Sequence, residues 1–130
     1  MPRLPPVIAI LDDEENMRIA LRRLLAPRGF DIVLFANGTS LIDAVGDKCI
    51  SAIILDLHMP VMNGFDILES MSKIPNPPPI IVITGHDQIG NAELVNQLGA
   101  HAYLTKPIDQ APLLEILGNL FGNPPMTYSN

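Results

Sequence analysis

A chain of 130 residues that is 48% hydrophobic has material for one domain and one core, not two. Its apolar runs are short, and none approaches the roughly 20 residues that cross a bilayer. Fourteen acidic against eight basic residues, a net charge of −6, speak against direct nucleic-acid or membrane binding by this domain, because a phosphate-facing surface needs a basic patch. The opening MPRLPP has no apolar core of a secretory signal and the single Cys49 cannot form an internal disulfide, so a cytoplasmic, reducing location is expected.

In chain order, Val7-Ile8-Ala9-Ile10-Leu11 is continuously apolar, as a parallel strand covered on both faces is. Asp12 and Asp13 follow it. Met17, Leu21, Leu24 and Leu25 at i, i+4, i+7 and i+8 predict a helix, with Glu14-Glu15 favouring its N-terminal turn and Pro27 and Gly29 stopping it. Arg18, Arg22 and Arg23 fall on the polar side of that helix and read as a solvated face. Ile32-Val33-Leu34-Phe35 is the second strand, and residues 39–45 the second helix. Ala52-Ile53-Ile54-Leu55 runs straight into Asp56, and residues 65–71 follow as a helix. A stiff connection, Pro75-Asn76-Pro77-Pro78-Pro79, leads to Ile80-Ile81-Val82-Ile83 and then Thr84. Residues 90–98 form the fourth helix, and the shorter Ala102-Tyr103-Leu104 precedes Thr105-Lys106-Pro107. The last helix spans 108–121, with Leu113, Leu117 and Leu120 as its stripe and Pro112 in its first turn, where a missing N–H costs nothing. Strand and helix alternate five times, which predicts an α/β three-layer sandwich around a parallel sheet. The domain is expected over residues 5–122, with 123–130 a tail or the start of a linker.

Every polar residue that interrupts an apolar run lies at a strand's carboxyl end, where open parallel sheets bind ligands: Asp12, Asp13, Asp56, Thr84 and Lys106. Adjacent strands are about 4.8 Å apart, so these side chains can converge. Three carboxylates that close repel unless a cation intervenes, and a hard divalent ion, Mg²⁺ or Mn²⁺, suits them. With Lys106 and the Thr84 hydroxyl to hold a transferred group, the set fits phosphoryl transfer to a carboxylate. Taken singly, each has a plainer role: Asp12-Asp13 as a helix cap, Lys106 as a surface lysine, Thr84 as a hydroxyl bonding its own backbone.

Given these residues, the chain resembles the receiver domain of bacterial two-component response regulators over about residues 5–122. An Asp-Asp-Glu after the first strand, D-x-x-M-P-x-M-x-G from Asp56 to Gly64, Thr84 followed by a small residue, and Lys106-Pro107 occur in the family's order and spacing. The resemblance implies a flavodoxin-like, doubly wound (βα)5 fold with strand order 2-1-3-4-5. It implies that Asp56 accepts a phosphoryl group from a sensor histidine kinase or a small donor. Mg²⁺ would be held by the carboxylates of Asp13 and Asp56, the backbone carbonyl of His58, and Asp12 either directly or through a water. Lys106 would pair with the phosphoryl oxygens, and the Lys106-Pro107 bond would be cis. Thr84 would move to the phosphoryl group, and Tyr103, at the switch-aromatic position, would turn inward behind it. The face built from the fourth helix, fifth strand and fifth helix, roughly residues 88–121, would then change partners, a homodimer among them. The domain would catalyse only its own phosphorylation and dephosphorylation, and its Thr84-Gly85-His86 and Leu104 to Asp109 segments look most like receivers of transcription regulators.

Departures from the family's commonest pattern are few. Asn63 stands where Asp is frequent and reads as a neutral N-cap for the third helix. Gly85 replaces the usual Ala. His58 and His86, two residues past Asp56 and Thr84, stand where the resemblance implies an influence on how long the acyl phosphate lasts, and an imidazole there can be a cation or a neutral hydrogen-bond partner; exposed histidines without a role are the plainer alternative. A phosphatase with an aspartyl-phosphate intermediate would carry a second Asp where His58 stands, and a phosphate-independent adaptor would lack part of the acidic set.

Overall fold

The computed structural model describes residues 4–47, 49–60 and 62–122. Its elements are β1 (Val7–Leu11), α1 (Glu15–Leu25) with a 3₁₀ turn (Ala26–Arg28), β2 (Asp31–Phe35), α2 (Gly38–Asp47), β3 (Ala52–Asp56), α3 (Gly64–Ser72), β4 (Ile80–Thr84), α4 (Asn91–Gln97), β5 (Ala102–Thr105) and α5 (Gln110–Phe121). The five strands form one parallel sheet in the order β2-β1-β3-β4-β5. β3 and β4 are buried along their whole length because helices cover both faces of the sheet.

Alternate residues of the strands feed two separate cores. Ala9, Leu11, Ile53, Leu55 and Val82 pack with Leu41, Ile67, Leu68, Met71 and Val95 of α2, α3 and α4. Ile8, Ile10, Ile54, Ile81 and Ile83 face the other way, onto Leu21 and Leu25 of α1 and Leu113 and Leu117 of α5. Each wholly buried Ile or Leu contributes about 1.5–3 kcal/mol relative to exposure, so a one-residue slip of any central strand would exchange its contributions between the faces and is strongly disfavoured.

Several expected boundaries shift by a residue or two. β3, β4 and β5 each continue one residue into the polar end, taking in Asp56, Thr84 and Thr105. Backbone pairing is indifferent to side-chain polarity: Leu57 N–H still donates to the Ile83 carbonyl at 2.9 Å, and Lys106 N–H to that of Thr84 at 2.7 Å. α4 begins after Gly90, whose φ of +89° places it outside the helix. α5 begins at Gln110, with Asp109 extended in front of it, and keeps Pro112 inside its first turn. Leu113 and Leu117 are its wholly buried residues; Leu120 and Phe121 are both half-buried, and Phe121 meets Phe30 edge to face at 6.3 Å. The proline-rich connection is a loop, with Asn76 at φ +52°. The expected tail, 123–130, lies outside the described residues.

Candidate functional site

β1 and β3 are neighbours in register, Leu11 beside Leu55, so the residues that follow them emerge side by side. Asp12 is wholly buried and Asp56 is 3% exposed, whereas Asp13 stands at the rim. One carboxylate oxygen from each of the three lies within 4.8 Å of the others. In both buried aspartates Oδ1 turns back to the loop, accepting the Glu14 N–H at 2.9 Å in Asp12 and the His58 N–H at 3.3 Å in Asp56. Oδ2 of each points to Lys106, whose Nζ is 3.2 Å from Asp12 and 3.7 Å from Asp56. The Asp12 contact is an ion pair without hydrogen-bond alignment, which leaves a buried oxygen with unspent acceptor capacity. That unspent capacity, beside two more carboxylates, fits a hard divalent cation.

Burial first, then the charges of Asp12 and Asp13, outweigh Lys106 and the His58 N–H and lift the Asp56 carboxyl from 3.8 to about 7. Burial by itself would lower the Lys106 ammonium, but the Glu14 hydrogen bond and the charges of Asp12 and Asp56 outweigh it and hold its pKa above the usual value. The lysine is carried to the cleft by β5, where Thr105 lies beside Thr84, and by a cis Lys106–Pro107 bond.

Thr84 is buried, and its hydroxyl is committed to the next loop, accepting the His86 N–H at 3.0 Å and donating to the His86 carbonyl at 3.2 Å. Tyr103 is half-buried, its ring packed on the α2–α3–α4 core and its hydroxyl donating outward to Asp87 at 2.8 Å. Burial and that contact raise the tyrosine's pKa. His58 and His86 are not unrelated loop residues: their rings meet edge to face at 5.5 Å, and Nε2 of half-buried His58 is buried without a partner among the described residues. Together with Asp13, Glu14, Asp56, Gly85 and Lys106 they line an open cleft of about 390 Å³.

Asn63 caps α3 as its spacing predicts, accepting the Asp66 N–H at 3.0 Å. Gly64 is needed for close approach: a Cβ there would lie 2.7 Å from the Leu57 Cα and 3.1 Å from the Asp56 carbonyl. Gly85 is less constrained, since a Cβ would meet only the Lys106 Cδ at an ordinary 3.7 Å. The arginine cluster divides. Arg22 and Arg23 are exposed, but Arg18 is half-buried and donates to the Asp12 carbonyl at 2.6 Å, so it buttresses the site from below and is not part of a purely solvated face. The sequence reading assigned no part to Glu14 in the cleft or to Asp87. Glu14 reaches Lys106, 92 residues away, and Asp87 reaches Tyr103; no local pattern signals either contact.

The family model of the response regulator receiver domain matches residues 8–118. Over 110 residues the chain is 31% identical to the transcriptional regulatory protein FixJ of Bradyrhizobium diazoefficiens, covering 85% of this chain and 54% of that protein. Over 103 residues it is 31% identical to the DNA-binding transcriptional regulator NtrC of Escherichia coli, covering 79% of this chain and 22% of that protein. The chain thus spans about half the length of the first relative and about a fifth of the second. A response regulator receiver domain protein from Clostridium thermocellum superposes with a TM-score of 0.80 at 30% identity, covering 88% of this chain and 93% of that one. With the five-stranded 2-1-3-4-5 sheet and the acidic cleft at its carboxyl end, these matches establish that the chain belongs to the family of response regulator receiver domains.

Proposed function

We propose that this domain is a phosphorylation switch in which Asp56 is the phosphoacceptor. The observation that carries the reading is a buried carboxylate, Asp56, that faces Lys106 and two further carboxylates at one end of the sheet. An Asp56 carboxylate oxygen attacks the phosphorus of a phosphohistidine on a sensor histidine kinase. The P–N bond breaks, and the imidazole leaves with its electron pair and takes up a proton; later hydrolysis by water returns the aspartate and releases phosphate. Asp12, Asp13 and Asp56, with the His58 carbonyl, would hold Mg²⁺ or Mn²⁺, which supplies charge neutralisation for the phosphoryl oxygens. Lys106 pairs with those oxygens from the other side.

For the Thr84 hydroxyl to donate to the phosphoryl group it must give up the His86 carbonyl, and Tyr103 must release Asp87 before it can turn inward. Both hydroxyls are held by the same β4–α4 loop, so capture of one loosens the anchor of the other. That couples the cleft to the α4–β5–α5 face, where Ile89 and Leu94 are exposed. The face would engage a second copy or an output domain, which relatives such as FixJ and NtrC suggest is transcriptional, in the cytoplasm. His58 and His86, stacked over the cleft, would set the lifetime of the phosphoryl group by limiting the approach of water.

Incubation with Mg²⁺ and acetyl phosphate, followed by mass spectrometry, tests the assignment: a single added phosphoryl group that is absent from Asp56→Asn is expected. No adduct on the wild type would refute it.

A further inference from the structure

The nearest anion to Lys106 is not one that the phosphoacceptor reading uses. Its Nζ lies 3.0 Å from Glu14 Oε1, closer than either Asp12 or Asp56. Glu14 sits at the N-cap of α1 with φ −90° and ψ 115°, but its side chain makes no capping hydrogen bond. Its N–H is held by Asp12 Oδ1, which fixes where the side chain starts, and its carboxylate crosses the mouth of the cleft to the β5–α5 turn. Glu14 does not join Asp12, Asp13 and Asp56 in their tight carboxylate group, so it serves the lysine and not a cation.

We propose that Glu14 is a stand-in anion: it occupies Lys106 in the resting domain and must be displaced when a phosphoryl group arrives on Asp56. Glu14 thereby sets how readily the cleft accepts an anionic group. The inference rests on Asp56 being the phosphoacceptor. A phosphoryl group brings its own negative charge to the ammonium that Glu14 holds, so the two compete for Lys106 and repel each other. The Glu14 side chain is 63% exposed, so the competition is screened and amounts to a few-fold, not to orders of magnitude. A negatively charged gate of this strength biases the domain toward donors docked by their own protein contacts and against small free phosphoanhydrides.

Beryllofluoride with Mg²⁺ is the probe, its binding to the full chain followed by fluorine NMR or calorimetry, since the chain has no Trp. Glu14→Gln keeps the shape and removes the charge; Glu14→Ala removes the contact. Both are expected to bind beryllofluoride about two- to fivefold more tightly than the wild type at low ionic strength, a gap that narrows in high salt. Mg²⁺ affinity measured alone is not expected to rise, which separates release of the lysine from a general change in the fold. Glu15→Gln, one residue along and without a contact to Lys106, is expected to match the wild type. Unchanged or weaker beryllofluoride binding in both Glu14 variants, or an equal gain in Glu15→Gln, would overturn the proposal and leave the phosphoacceptor reading intact. A wild type that binds no beryllofluoride would overturn both.

Discussion

Burial and the charge of Asp12 raise the Asp56 carboxyl from 3.8 to about 7, which makes this group a measurable load on the fold. Between those two values the folded domain keeps a proton that the unfolded chain has lost, so this group's contribution to stability falls as pH rises through that window. Without divalent ions the wild type is expected to melt lower near about pH 8 than near about pH 6, and Asp56→Asn to lose that difference. At the higher pH the variant should be more stable by about 1–3 kcal/mol, a Tm rise of roughly 3–10 °C. Thermal melts at the two pH values decide this; a wild type and variant with parallel pH profiles would contradict it. Mg²⁺ acts in the opposite sense, because it must displace the proton: its Tm gain should be larger at the higher pH. At the same scale, the His58–His86 stack predicts a severalfold faster loss of the phosphoryl group in the His58→Ala, His86→Ala double variant. Identical dephosphorylation rates would remove the histidines from the mechanism.

Elements deliver these residues, and their ends are where substitutions act most sharply. α3 starts against the end of β3 so closely that Gly64→Ala puts a Cβ onto the Leu57 backbone, which cannot swing away as a side chain could. The expected cost is about 1–3 kcal/mol, with phosphorylation by acetyl phosphate slowed at least about tenfold because the Asp56–His58 turn is displaced. Gly85→Ala is the contrasting case, expected to change stability by less than about 0.5 kcal/mol. Denaturant titration and phosphorylation rates of the two variants test the pair, and equal effects would show that the close approach at Gly64 does not position the cleft. The strands, the helix positions to within two residues, and the Asn63 cap were all legible from periodicity and cap chemistry. The strand ends were not: continuous apolar runs mark burial, and the ladder continues past them into Asp56, Thr84 and Thr105. The α5 stripe lacked Phe121 for a related reason, since its inward contact depends on the position of Phe30, far away in the chain.

At the scale of the whole molecule, the proposed switch would connect the cleft to α4–β5–α5 through the Thr84 and Tyr103 hydroxyls, which one loop holds. Ile89, just before α4, is fully exposed and Leu94 within it is 42% exposed. If that face closes on a second copy when the cleft is filled, Ile89→Asp should weaken beryllofluoride-dependent dimerisation by about tenfold or more without altering phosphorylation of Asp56. Sedimentation of both proteins with and without beryllofluoride reads this directly, and a wild type that stays monomeric in both states would exclude the dimer. The sequence by itself determined the alternation, the burial of the central strands and the collection of polar residues at one end, because burial on both faces and cap chemistry are local and leave their mark in consecutive residues. Only the tertiary structure decided which of those polar groups touch. The Glu14–Lys106 pair, the outward hold of Asp87 on Tyr103, the His58–His86 stack and the buttressing Arg18 depend on loop paths and rotamers. Residues far apart in the chain become partners only when the sheet order brings their strand ends side by side, and no periodicity within a single element encodes that.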